Sequence, residues 1–92
     1  MDPVVSTASG EVMGESADGV FAFRGIPYAA APVGKLRFRP PAPPERWSGV
    51  RDATVFGPVP PQCDFPLWVA SIVAPTVPKG EDCLNLNVWT PE

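Results

Sequence analysis

The chain has 92 residues, a formal charge of −3 and no histidine. That length allows one small domain at most. The balance of 7 basic to 10 acidic side chains lacks the basic face that a nucleic-acid partner requires. Fourteen residues are proline, roughly three times ordinary usage. Each removes a backbone donor and fixes φ, so long helices are not expected. A core made only of short strands and turns is thin for this length, and stable folding in isolation is not expected. The longest apolar run, Trp68 to Pro75, is interrupted by Ser71 and too short to span a bilayer. Met1-Asp2-Pro3 lacks the charged start and apolar core of a signal peptide.

Residues 3–28 predict antiparallel strands. Val4 to Thr7 is β-prone, Ser9-Gly10 is a turn, and Glu11 to Gly14 is a return strand. Asp18-Gly19 is a second turn, because glycine takes φ > 0 without penalty. Val20 to Phe23 follows as a third strand, which makes an antiparallel meander. Gly14-Glu15-Ser16-Ala17 imitates the opening of Gly-x-Ser-x-Gly, but the fifth position is Asp18. A nucleophile elbow also needs a strand before the serine and a helix after it, and a base. Ser16 has neither that context nor any histidine, so it is read as a hairpin residue. Pro27 ends the third strand, and Tyr28 could carry a buried hydroxyl to a backbone partner.

Residues 29–62 form a proline-rich crossing, punctuated by Pro32, Pro40, Pro41, Pro43 and Pro44. Leu36, Phe38 and Trp47 are apolar anchors that a solvated linker would not need, so the crossing is expected to pack on a larger body. The alternating pair Arg37 and Arg39 reads as a solvated or salt-bridged edge rather than a phosphate site. Val50 to Val55 is a short edge strand.

Residues 63–83 form a loop bounded by Cys63 and Cys83. Two cysteines flanking one compact loop suggest a disulfide, with two reduced thiols as the alternative. A bond closing a loop of this size would stabilise by about 3 kcal/mol. Two cysteines without histidine do not fill a tetrahedral shell, so no metal site is predicted. Leu67 to Val73 is expected to form one helical turn or two. Residues 84–90 then alternate. Leu84, Leu86 and Val88 point one way, and Asn85, Asn87 and Trp89 point the other, with Pro91 expected to stop the strand.

The segment Glu81-Asp82-Cys83-Leu84-Asn85-Leu86-Asn87-Val88-Trp89-Thr90-Pro91 resembles a signature of the type-B carboxylesterases, relatives of the cholinesterases. Phe23-Arg24-Gly25-Ile26-Pro27-Tyr28-Ala29 and Pro32-Val33-Gly34-Lys35-Leu36-Arg37-Phe38-Arg39-Pro40-Pro41 resemble two further family segments, in the family's order. Trp47 to Ala53 and Phe56-Gly57-Pro58 continue the match. Asn85 departs from it, standing where the family usually carries Tyr or Thr.

The resemblance implies an α/β fold, as the N-terminal part of an α/β-hydrolase, with this segment mostly short β-strands and irregular proline-rich loops. It implies hydrolysis of carboxylic esters by a Ser–acid–His triad. The nucleophile elbow and the Gly-rich oxyanion loop of that family lie outside the matched stretch. No catalytic residue and no cofactor are therefore assigned to this chain. The implied partners are the remainder of an esterase, which could be a separate longer chain carrying the triad, and a small-molecule ester. The family also strengthens the Cys63–Cys83 pairing, and residues matching Arg37 and Glu81 form an ion pair at the base of the loop. Phe65 and Trp68 are candidate linings of the active-site gorge. A non-catalytic cholinesterase-like binding module, an inactive fragment and a small independent β-domain are the other readings. Compartment stays open: Met1 as a native start points to the cytoplasm, and an oxidised cysteine pair points to secretion.

Overall fold

Local chemistry accounts for two hairpins, and longer-range pairing makes two sheets of them. The computed structural model describes residues 2–64, 66–73 and 78–92. β1 (Val4–Thr7) pairs antiparallel with β2 (Gly10–Met13). The Thr7 hydroxyl closes the turn, donating to the Gly10 carbonyl at 2.6 Å and accepting from the Ser9 and Gly10 amides. β3 (Glu15–Ala17) pairs antiparallel with β4 (Val20–Pro27). Asp18 and Gly19 between them both have positive φ, 53° and 77°, the conformation of a two-residue hairpin matched to strand twist. The Asp-Gly chemistry is thus used as expected, but β3 is a strand that the sequence pattern did not mark.

The expected single meander is not formed. The chain leaves one sheet at Gly14, whose amide donates to the Pro3 carbonyl at 2.9 Å. β5 (Val50–Asp52) takes the second side of β2, in parallel, giving the order β1-β2-β5. β6 (Asn85–Pro91) takes the second side of β4, giving β3-β4-β6. Distant segments have claimed the edges that a meander would have used for its own neighbours.

Pro91 does not stop β6 as expected but is its last residue, opposite Val20. Antiparallel pairs alternate between hydrogen-bonded and non-hydrogen-bonded positions. Glu92 donates its amide to the Gly19 carbonyl at 3.1 Å, so Pro91 falls on a non-bonded position and no ladder donor is lost. Pro27, opposite Asn85, sits the same way, because its neighbour Tyr28 donates to the Leu84 carbonyl at 3.1 Å.

β4 carries one extra residue between Phe23 and Ile26, a β-bulge against β6. The two freed amides both find partners. Arg24 N–H donates to the Ala53 carbonyl at 2.7 Å, and Gly25 N–H donates to the Asn87 side-chain oxygen at 3.0 Å. Gly25 has φ +71°, and a β-carbon there would lie 3.0 Å from both the Gly57 nitrogen and the Val55 oxygen.

The crossing is tied down at one anchor and free at another. Trp47 packs on the cluster of Val12, Phe23 and Ala53, and its Nε1 donates to the Glu11 carbonyl at 2.9 Å. Leu36 ends a 3-10 turn, Gly34–Leu36, and is half-buried. Phe38, expected as an anchor, is 99% exposed, on a left-handed backbone of φ +58° that turns the ring away from the chain. Tyr28 is likewise exposed rather than buried.

Among the described residues the buried apolar side chains are Val12, Ala22, Phe23, Ala29 and Ala53, and no polar side chain is buried. The chain exposes 6645 Å², against about 5,200 Å² for an ordinary folded protein of its mass. Its radius of gyration is 15.1 Å, against about 12 Å for a closed domain of this length.

Gly25→Ala is expected to destabilise the protein by about 2 kcal/mol, through the left-handed φ and the backbone it would strike. Gly19→Ala, with open space around it, is expected to cost about 1 kcal/mol. Urea titration of a full-length esterase carrying this segment, followed by tryptophan fluorescence, compares the two, and equal costs would remove the role assigned to the bulge.

Candidate functional site

Among the described residues the structure assembles no catalytic constellation. Ser16 lies in β3 opposite Phe21, and its hydroxyl donates to the Glu92 carboxylate. No His exists to activate it. Among the described residues, no group of three or more His, Cys, Asp or Glu could hold a metal ion. No helix there is long and apolar enough to cross a membrane.

The loop around residues 63–83 is instead a built, externally facing feature. Its base is a parallel bridge between Val59 and Lys79. Val59 N–H donates to the Pro78 carbonyl at 3.0 Å, and Gly80 N–H to the Val59 carbonyl at 2.9 Å. Lys79 pairs with Asp64, and Arg37 pairs with Glu81. The second of these is the contact expected between the crossing and the loop. Both of its side chains are about half exposed, so the pair orients the loop more than it stabilises it.

Cys63 and Cys83 are free thiols, the first exposed and the second half-buried. The loop base is held by the Val59–Lys79 bridge and the ion pairs. α1 (Leu67–Val73) crosses the loop with no acidic or basic residue in its end turns. Trp68 lies on it and is exposed, as are Leu67 and Ile72. Phe65, the other candidate gorge residue, lies outside the described residues.

A second cluster escaped the sequence reading. Arg24, largely buried, pairs with Glu15 and reaches the Thr54 carbonyl at 3.4 Å. Its guanidinium lies 5.2 Å from the Phe56 ring centre and 5.8 Å from that of Trp89. The two rings are 6.4 Å apart and tilted by 48°. A cation held between aromatic faces gains from their quadrupoles while its charge is neutralised by Glu15. These four residues sit on four separate stretches of chain, and no spacing announces them. Asp52 ends β5 nearby. Its carboxylate accepts from the Thr54 hydroxyl at 2.6 Å and amide at 2.9 Å, and these bonds hold its pKa below the usual range.

Asn85, the departure from the family pattern, also has a definite role. Its Nδ2 donates to the Pro58 carbonyl at 3.2 Å, and its amide lies where a β-carbon on Gly57 would be, at 2.7 Å. The small residue at 57 therefore makes room for this side chain.

A model of the carboxylesterase family matches residues 1–92. The chain belongs to the carboxylesterase family. It is 46% identical over 92 residues to a phenmedipham hydrolase of Pseudarthrobacter oxydans, a match covering 97% of this chain and 18% of that protein. It is 43% identical over 90 residues to the para-nitrobenzyl esterase of Bacillus subtilis (strain 168), covering 97% and 18%. A solved PNB esterase superposes with a TM-score of 0.84 at 44% identity, covering 96% of this chain and 18% of that one. The solved relatives are esterases of the α/β-hydrolase fold. The chain thus spans about 18% of the length of these relatives and corresponds to the N-terminal portion of a carboxylesterase-like protein.

Two outcomes follow for the carboxylesterase loop. Both cysteines are expected to react with a thiol reagent without prior reduction, Cys63 faster than Cys83. A denatured, unreduced sample that takes up no reagent would mean a disulfide instead. The hydrogen bond and charge of Lys79 hold the Asp64 carboxyl below its usual pKa. The contribution of this pair is therefore present above the usual carboxylate range and lost as pH falls through the lowered value. Lys79→Met is expected to return Asp64 to the ordinary range, read by NMR titration of the carboxyl carbon.

Proposed function

We propose that this chain is the scaffold segment of a serine carboxylic-ester hydrolase whose catalytic groups are supplied by the longer body it joins. The expected reaction is acyl transfer from an ester to a serine, followed by hydrolysis of the acyl-enzyme, with an oxyanion hole stabilising each tetrahedral intermediate. None of those groups comes from residues 1–92. The segment contributes strands β3, β4 and β6 and the loop at the rim of the site. In this reading Trp68 borders the route by which an apolar ester reaches the serine, and the Arg37–Glu81 pair holds that rim in place.

The observation that carries the proposal is the mismatch between family and surface. A chain 43% identical to an esterase across 97% of its length nonetheless has a core of five buried apolar residues, among those described, and 6645 Å² of exposed surface. Such a chain needs further protein to cover it, and the esterases it resembles carry this segment within a much longer chain.

The test is a transplant. Residues 1–92 replace the matching segment of the Bacillus subtilis para-nitrobenzyl esterase, and hydrolysis of a p-nitrobenzyl ester is measured. The chimera is expected to keep activity within about tenfold of its parent, roughly 1.4 kcal/mol in activation free energy, while residues 1–92 alone show none. A soluble, folded chimera without hydrolysis, or hydrolysis by the 92-residue chain alone, would overturn the proposal.

A further inference from the structure

We propose that Asn85 is a specificity-determining positioning residue: its side chain clamps the stem of the loop 63–83 onto β6 and so sets the entrance through which an ester passes. This rests on the functional reading above, which puts that loop at the rim of the site.

The clamp starts from fixed ground. Asn85 opens β6 opposite Pro27, and the preceding Leu84 carbonyl accepts the Tyr28 amide at 3.1 Å. The backbone of Asn85 therefore belongs to the sheet. Its side chain reaches out of the sheet, where Nδ2 donates to the Pro58 carbonyl at 3.2 Å. The fit is close. A β-carbon on Gly57 would lie 2.7 Å from both Cγ and Nδ2 of Asn85, so this amide and any larger residue at position 57 compete for one space.

Pro58 passes the constraint on. The stem Gly57-Pro58-Val59-Pro60-Pro61 holds three prolines, whose rings fix φ. Such a stretch moves as a stiff arm rather than bending. The returning end of the loop is fastened to the same arm. Val59 bridges Lys79, donates its amide to the Pro78 carbonyl at 3.0 Å and accepts from the Gly80 amide at 2.9 Å. A β-carbon on Gly80 would lie 3.2 Å from the Pro58 ring. Both ends of the loop thus hang on residues 57–59, and Asn85 joins those residues to β6. The Lys79–Asp64 and Arg37–Glu81 pairs are more open to solvent. The Asn85 bond is partly buried, where water competes with it less.

The consequence is selective. An ester that is bulky toward the entrance meets the rim, and a small ester does not. Releasing the stem removes contacts made equally by the bound ester and its transition state, a loss that appears in KM rather than kcat.

The chimera carrying residues 1–92 in the para-nitrobenzyl esterase tests the clamp, with p-nitrobenzyl benzoate as the bulky ester and ethyl acetate as the small one. Asn85→Ala is expected to raise KM for the benzoate about fivefold, the worth of one hydrogen bond, and to change KM for ethyl acetate and both kcat values by less than about twofold. Gly57→Ala is expected to give the same signature by displacing the Asn85 amide, and it carries the comparison if Asn85→Ala does not fold. The double variant is expected to be no worse than either single one, because both remove one contact. An active chimera whose variants shift KM equally for the two esters, lower kcat alone, or add their effects in the double variant would overturn this inference and leave the functional reading intact. A folded chimera that hydrolyses neither ester would overturn the functional reading and this inference with it.

Discussion

At Arg24 and Gly25 the backbone of β4 turns two amides away from the β6 ladder, and much of the structure depends on where they go. One reaches Ala53, just past β5 in the other sheet. The other is received by the Asn87 side chain from the neighbouring strand. A single inserted residue thereby fastens the two sheets together and sets the register of β6. It also directs the Arg24 side chain into the space between Phe56 and Trp89. A buried amide left without an acceptor would cost about 1–3 kcal/mol, and the bulge persists because neither amide is left so. Glycine at position 25 is part of the same arrangement, since the Val55–Gly57 backbone lies against its α-carbon.

The two ends of the segment are held by different physics. The sheets meet through Val12, Phe23 and Ala53, with Trp47 laid over them, and this contact is apolar and tight. The loop base is held by two exposed ion pairs and one backbone bridge. Exposed pairs contribute up to about 1 kcal/mol and weaken with salt. The region assigned to substrate access is thus the loosely fastened part, and the region assigned to the scaffold is the rigid part. A binding rim on a firm support is a common division of labour in enzymes.

The surface excess and the small core express one fact in two ways. A chain that buries so few apolar side chains leaves much of its apolar surface to water. The apolar exposure of β6 is unremarkable inside an α/β sheet and costly in water.

The sequence alone determined family and local chemistry. Three motifs in order named the carboxylesterases, Asp18-Gly19 specified its hairpin, and the alternation from Leu84 to Trp89 specified a strand. Those signals are local, and each is read from a few consecutive residues. The absence of histidine also determined that no complete triad could lie here. Tertiary structure decided everything that depended on distant partners. It split the expected meander into two sheets, because β5 and β6 took the open sides of β2 and β4. It admitted Pro91 and Pro27 into strands, because parity placed them where no donor was needed. It left Phe38 in solvent and built the Arg24 cluster from four separated residues. Pairing, parity and burial are relations between segments, and no single segment carries them in its own residues.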